Sequence, residues 1–180
     1  MFTYILIAVI AVILVLVAVI ATRPTEMHVE RSATIAAAPA DVFAQVNNLH
    51  QWEAWSPYAK LDPNMKTTYQ GPPSGVGASY SWNGNNQVGE GRTTITESRP
   101  HELIRIKLEF VRPFAGTNMA EFTFRPVGDQ TTVTWSLDGE NNFMAKAVGL
   151  LMNMDKMVGG QFDKGLAQLK ALVEREPAKC

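Results

Sequence analysis

Reactive chemistry has few places to sit in this chain. The three histidines, His28, His50 and His101, are scattered, and no two stand at the i, i+4 spacing of a helical ligand pair, so no metal site is expected and they read as solvated surface residues. Cys180, the only cysteine, is the last residue, which excludes an intrachain disulfide and a thiolate cluster. No serine occupies a strand-to-helix elbow, and Ser56, followed by Pro57, reads as a helix stop. Gly71, Gly75 and Gly77 join strand to strand, so they are hairpin glycines and not a phosphate cradle. General acid or base work needs an inward carboxylate with a raised pKa. Of Glu90, Glu97, Glu121 and Arg105, the polar residues nearest an interior, only Glu97 shares parity with an apolar neighbour, Ile95. The others read as cross-strand surface pairs. No catalytic residue, cofactor or metal follows from the pattern.

Aromatic and thioether side chains are the better candidates. Of the four tryptophans, Trp52 and Trp82 are expected at a cavity mouth, beside short helices and a Gly/Asn hairpin, with Trp55 and Trp135 deeper. Met154 and Met157, followed by Gly159 and Gly160, suggest an adaptable wall, because thioethers fill irregular space. Met144 and Met152 lie off that stripe.

The elements that must position these residues follow from periodicity. Val29, Arg31, Ala33 and Ile35 alternate with polar neighbours in a period-two strand. Pro39 then opens a short helix over 40–46, and Leu49, Trp52 and Trp55 suit another turn or two ending at Pro57. Further strands are expected over 65–70, 77–83, 89–98, 103–110, 118–126 and 130–137, separated by Gly, Pro and Asn turns. Alternation puts Tyr80, Trp82, Ile104, Ile106, Leu108, Phe110, Ala120, Phe122, Phe124, Val133, Trp135 and Leu137 on one face. From Phe143 the period becomes helical through Leu150, Met154, Met157, Phe162, Leu166, Leu169 and Val173, which predicts one long helix, interrupted at Gly159 and Gly160 and ended by Pro177. The fold class is α+β: a curved antiparallel sheet of about seven strands closing on a C-terminal helix, each covering the other's apolar face.

The first residues are a different material. From Ile5 to Ala21 only Ile, Leu, Val and Ala occur, and as a helix this run rises roughly 26 Å. That nearly spans the ~30 Å hydrocarbon core, so a transmembrane anchor over 1–22 is expected, with a linker over 23–28 and the folded domain over 29–176. A cleavable signal, with Val19 and Ala21 before the cut, is the rival; the absence of Lys or Arg ahead of the run and its length argue against it. Arg23 and Arg31 tilt the positive-inside balance toward a cytoplasmic domain, but Glu26 and Glu30 interleave with them, and the side stays open. With 16 basic against 17 acidic residues and no like-charge run, a nucleic-acid partner is excluded.

The segments VERSATIAAAPADVFAQVNNLHQWEAWSPY, GVGASYSWNG, VGEGRTTITESRP, TTVTWSLDG and MNMDKMVGGQFDKGLAQLKALVE, in this order, resemble the SRPBCC or START-like superfamily, in its polyketide-cyclase-like branch. The resemblance covers Val29 to Glu174. It implies a helix-grip fold with an elongated cavity for lipids, polyketides or other apolar molecules, and no single shared reaction. The expected lining is drawn from Trp52, Trp55, Tyr80, Trp82, Ile106, Leu108, Phe122, Trp135, Met154, Met157 and Phe162. The leading expectation is a membrane-tethered module that binds or transfers an apolar small molecule or lipid. The alternatives are a cyclase- or dehydratase-like enzyme using the same cavity and a structural or partner-binding domain with a filled core.

Overall fold

The computed structural model describes residues 1–141, 143–151 and 153–175. Helix α1 (Phe2–Ala21) is followed after four residues by strand β1 (Glu26–Ile35). Helix α2 (Pro39–Asn47), a 3-10 turn (Leu49–Gln51), the single-turn α3 (Trp52–Trp55) and a second 3-10 turn (Tyr58–Lys60) come next. Then run β2 (Lys66–Gln70), β3 (Ser79–Asn83), β4 (Glu90–Arg99), β5 (Leu103–Arg112), β6 (Gly116–Val127) and β7 (Gln130–Glu140), with helices α4 (Phe143–Leu151) and α5 (Met154–Arg175) at the end. The seven strands form one antiparallel sheet in the order β1-β7-β6-β5-β4-β3-β2, a meander with the first strand carried to its far edge. This is a helix-grip fold.

Alternation explains which face is apolar. On β6 and β7, Ala120, Phe122, Phe124, Val133, Trp135 and Leu137 are buried, as parity predicts. Helix α5 packs on β1 and lays Phe162, Leu166, Leu169 and Val173 against that half of the sheet, all at most 6% exposed. Pro39 opens α2, whose Val42, Phe43 and Val46 are buried, and Phe43 meets Phe124 edge-on at 5.4 Å. His101 makes a similar edge contact with Phe43, and His28 bonds Asp138 at 2.6 Å on the outer face.

Three expectations need correction. Strand β1 starts at Glu26, so residues 26–28 are paired to β7 and do not belong to a linker. The C-terminal helical stretch is two helices, and the break falls before Met154, not at Gly159 and Gly160. There the side-chain carbonyl of Asn153 accepts the Lys156 N–H at 2.9 Å, an N-cap that starts a new helix inside an unbroken apolar periodicity. Gly159 instead makes room for the Arg31 guanidinium, with which a Cβ would collide. Arg31 bonds the Asp155 carboxylate at 3.0 Å and lies 3.5 Å from Asp163. Finally, Glu97 faces outward. Ile95 pairs with Ile106 but Glu97 with Arg105, so Thr96 is a bulge that reverses parity. Arg105 then ties Glu97 at 2.5 Å to Glu121 at 2.7 Å on the outer surface. Cys180, Met152 and Pro177 lie outside the described residues, as does the side chain of Met154.

Candidate ligand cavity

The concave face is filled only where a helix reaches it. Over β1 and β7 the fill is α5, and over the end of β6 it is α2. Toward β3, β4 and β5 the cover is α3, the Tyr58–Lys60 turn and residues 61–65, and a cavity of about 480 Å³ remains. Ligand pockets typically measure roughly 300–1,000 Å³. A second hollow of about 70 Å³, between the stacked rings of His50 and Tyr69 and residues 70–73, holds only a few waters.

Each wall has a simple origin. Strand parity aims Tyr80 and Trp82 of β3, Thr93 of β4, Ile106, Leu108 and Phe110 of β5, Ala120 of β6 and Trp135 and Leu137 of β7 at the space. Trp52 hangs from α3, its indole N–H bonded to the Val46 carbonyl at 2.9 Å. The Trp82 N–H bonds the Val88 carbonyl at 3.0 Å, and its ring rests on Gly91, where a Cβ would meet it at 2.6 Å. Helix α5 adds Met157, Val158 and Phe162, and Phe162 stacks on Trp135 at 4.0 Å with the planes 9° apart.

Among the aromatic, aliphatic and thioether side chains singled out in the sequence, Trp52, Tyr80, Trp82, Ile106, Leu108, Trp135, Met157 and Phe162 border this cavity. Trp55 and Phe122 do not. Trp55 is fully buried and gives its indole N–H to the Gln45 carbonyl at 3.3 Å. It stands edge-on to Phe122 at 6.1 Å and to Trp135 at 5.9 Å, so the two form a backing layer behind the wall. Residues three apart share a helix face, but Trp52 borders the hollow and Trp55 lies behind it, 5.1 Å away and fully buried. Spacing alone does not distinguish them. Trp135 is both deep, at 4% exposed, and on the wall.

The polar part of the wall consists mainly of residues that periodicity did not single out. Tyr58 and Tyr80 carry phenols whose burial pushes their pKa up to about 12, so both are neutral hydrogen-bond donors at ordinary pH. Thr93 stands opposite Tyr80 across the β3–β4 pair, near enough for its hydroxyl to oppose that rise, yet Thr93 Oγ1 has no aligned hydrogen-bond partner. Trp135 Nε1 also lacks one. Asp62 is buried, but its carboxylate accepts the N–H groups of Asn64 at 2.9 Å and Asn85 at 2.7 Å and serves as a turn brace. At the rim, Arg112 is held by Glu90 at 2.9 Å. Among the described residues no group of His, Cys, Asp or Glu could hold a metal ion. Tyr58 and Asp62 come from the irregular segment between α3 and β2, where no period exists to read.

The family described as polyketide cyclase / dehydrase and lipid transport matches residues 26–174. The chain belongs to that family. Its lower boundary coincides with the first residue of β1. Solved structures share the fold at low identity. A Chromobacterium violaceum protein is 16% identical, with a TM-score of 0.60 over 86% of this chain and 100% of its own. A Nitrosospira multiformis protein is 21% identical, with a TM-score of 0.60 over 83% of this chain and 100% of its own. The DynU16 protein of the dynemicin biosynthetic locus is 14% identical, with a TM-score of 0.56 over 82% of this chain but 47% of its own. No curated protein matches the sequence. For this family member the likenesses speak to the fold, and the cavity must speak to the function.

Proposed function

We propose that this family member is a membrane-tethered module that binds or transfers an apolar small molecule or lipid. The observation that carries the reading is the cavity of about 480 Å³, walled by aromatic and aliphatic side chains. Burial of ligand surface there contributes roughly 25 cal/mol per Å², and the Tyr58, Tyr80 and Trp135 donors orient a carbonyl, ether or hydroxyl oxygen. The wall is poor in free cations, since Arg112 is paired with Glu90, so an uncharged ligand suits it better than a carboxylate. The tether is α1, whose mean hydropathy over an 18-residue window is 3.4 and which is exposed along its length. Native mass spectrometry of the full-length protein extracted in mild detergent tests both parts. A co-purifying apolar molecule in the membrane fraction is expected; an empty protein released by carbonate wash would defeat the reading.

The family description also covers cyclases and dehydrases, and one observation favours that second reading. Two neutral phenols facing the cavity are the groups that would donate hydrogen bonds to the carbonyl oxygens of a folded polyketide chain. The paired substitution Tyr58→Phe/Tyr80→Phe separates the readings. A binder keeps most of its affinity, whereas an enzyme loses turnover of a polyketide thioester while still binding it.

A further inference from the structure

The end of the sheet attached to α1 is also an end at which the cavity lining reaches the surface. Register shows which strand termini lie together: Glu26 pairs with Glu140, Asn118 with Gly139, Phe110 with Gly116, Glu90 with Arg112, and Asn83 with both Glu90 and Lys66. Helix α5 runs in the direction of β1, because Asp155 meets Arg31 while Glu174 meets Ala36. Met157 and α4 therefore stand at the α1 end too. Met27, Pro113, Phe114, Asn118 and Met157 all line the cavity there. Phe114 and Met157 are 45% and 44% exposed, so one apolar surface continues from the cavity to the outside.

Apolar exposure is concentrated at this end. C-terminal to α1, eight large apolar side chains are exposed among the described residues, and five of them, Val111, Phe114, Phe143, Met144 and Met157, belong to it. The connection to α1 is short. Residues 22–25 can reach at most about 14 Å. Thr25 is itself held, its carbonyl by the Asn141 N–H at 2.6 Å and its hydroxyl by Lys146 at 2.9 Å, and α1 packs against α4. A headgroup layer occupies roughly 5–8 Å of each leaflet. With α1 in a bilayer, these strand termini and α4 stand at the headgroups, where exposed apolar side chains gain by leaving water.

We propose that the turn over 111–115 and helix α4 rest on the bilayer that holds α1, and that the cavity fills from the lipid phase through the opening bordered by Phe114 and Met157. The inference rests on the tethered-module reading and adds the surface on which it works. An apolar ligand dissolved in lipid then reaches the aromatic wall without crossing water.

The test uses full-length protein in phosphatidylcholine vesicles. Single nitroxide labels are placed through Val12→Cys, Phe114→Cys, Met144→Cys and Val127→Cys on a Cys180→Ser background. Labels at 12, 114 and 144 are expected to be relaxed by oxygen in preference to a water-soluble nickel complex, and the label at 127, at the opposite end, by the nickel complex. A label at 12 in lipid with 114 and 144 as aqueous as 127 would overturn the inference and leave the tether standing. An aqueous label at 12 would overturn both. The second arm follows a dansyl fatty alcohol moving from vesicles into wild type and Val111→Asp/Met144→Asp, neither of which lines the cavity. Uptake should slow about tenfold with occupancy at equilibrium kept, the factor expected from losing part of the partition energy of two apolar side chains. An unchanged rate would overturn loading through this end, and no binding by either protein would overturn the ligand reading and the inference with it.

Discussion

Strand β5 carries two kinds of interior on one face. Ile104 and Ile106 are fully buried, while Leu108 and Phe110, the next two residues with the same parity, are only half-buried. Across the sheet the same contrast recurs: Val29 and Val133 are sealed in one core with Leu166 and Leu169 of α5, whereas Tyr80 and Leu108 border open space. The alternation is identical in both regions. What differs is the cover, and cover is decided by where α5 stops and the short helices begin. A cavity in this fold is a region of ordinary core face left without a partner.

Phe162→Ala has the largest expected effect, because Phe162 stands where α5 seals the sheet at the edge of the cavity. It removes a ring stacked at 4.0 Å on Trp135 and 2% exposed, and the expected loss is about 3–5 kcal/mol in denaturant unfolding of the detergent-solubilised protein. Trp82→Ala should separate from it. Truncation there enlarges a hollow that is already open, so stability should fall by less than for Phe162→Ala, while affinity for an apolar probe weakens by about tenfold or more, as expected for the loss of roughly 1.5–3 kcal/mol of contact. Equal probe binding by wild type and the variant would make Trp82 a packing residue only.

Leu108→Trp asks the converse question, since it places volume where the sheet lacks cover. Binding should be lost in a titration, with the unfolding midpoint held or raised; a midpoint drop like that of Phe162→Ala would mean the space is not open. Gly159→Ala should do less. The added methyl displaces the far end of the Arg31 side chain, exchanging a surface ion pair of little net worth for better helix propensity. The smallest effect belongs to His28. Its hydrogen bond to Asp138 raises its pKa above 6.5, so the stability it contributes is complete below that value and fades as pH rises through the folded-state pKa. In His28→Gln the corresponding slope of thermal midpoint against pH should vanish; a slope kept intact would assign it elsewhere.

Much of this architecture is legible in the sequence alone. Strand parity identified the inward residues of β3, β5, β6 and β7 because a side chain that alternates has only two faces to choose between. The resemblance of five segments to the family gave the grip of sheet on helix. Periodicity failed where a local event reset it. Thr96 adds one residue to β4 and turns Glu97 outward, and Asn153 begins a new helix without disturbing the apolar spacing. The sequence placed Trp55 deeper than Trp52 but also among the lining, and Trp55 instead backs the wall, fully buried behind Trp52. Tyr58 and Asp62 escaped because their roles depend on a segment with no repeat.

The placement of the tryptophans has an optical consequence. All four belong to the cavity wall or to the layer touching it: Trp52, Trp82 and Trp135 line the space, and Trp55 lies 5.1 Å from Trp52 and 5.9 Å from Trp135. No indole elsewhere dilutes the signal, so the intrinsic emission of the unlabelled protein is emission from the cavity. Trp135, with its ring nitrogen unpaired and its ring stacked on Phe162, belongs at the blue end of that spectrum, and a donor-accepting ligand that reached it would shift the band to the red. The close indoles are also near enough to couple, which gives the near-ultraviolet circular dichroism a signature tied to their mutual angle. Occupancy is thus written into the absorption and emission of the native chain.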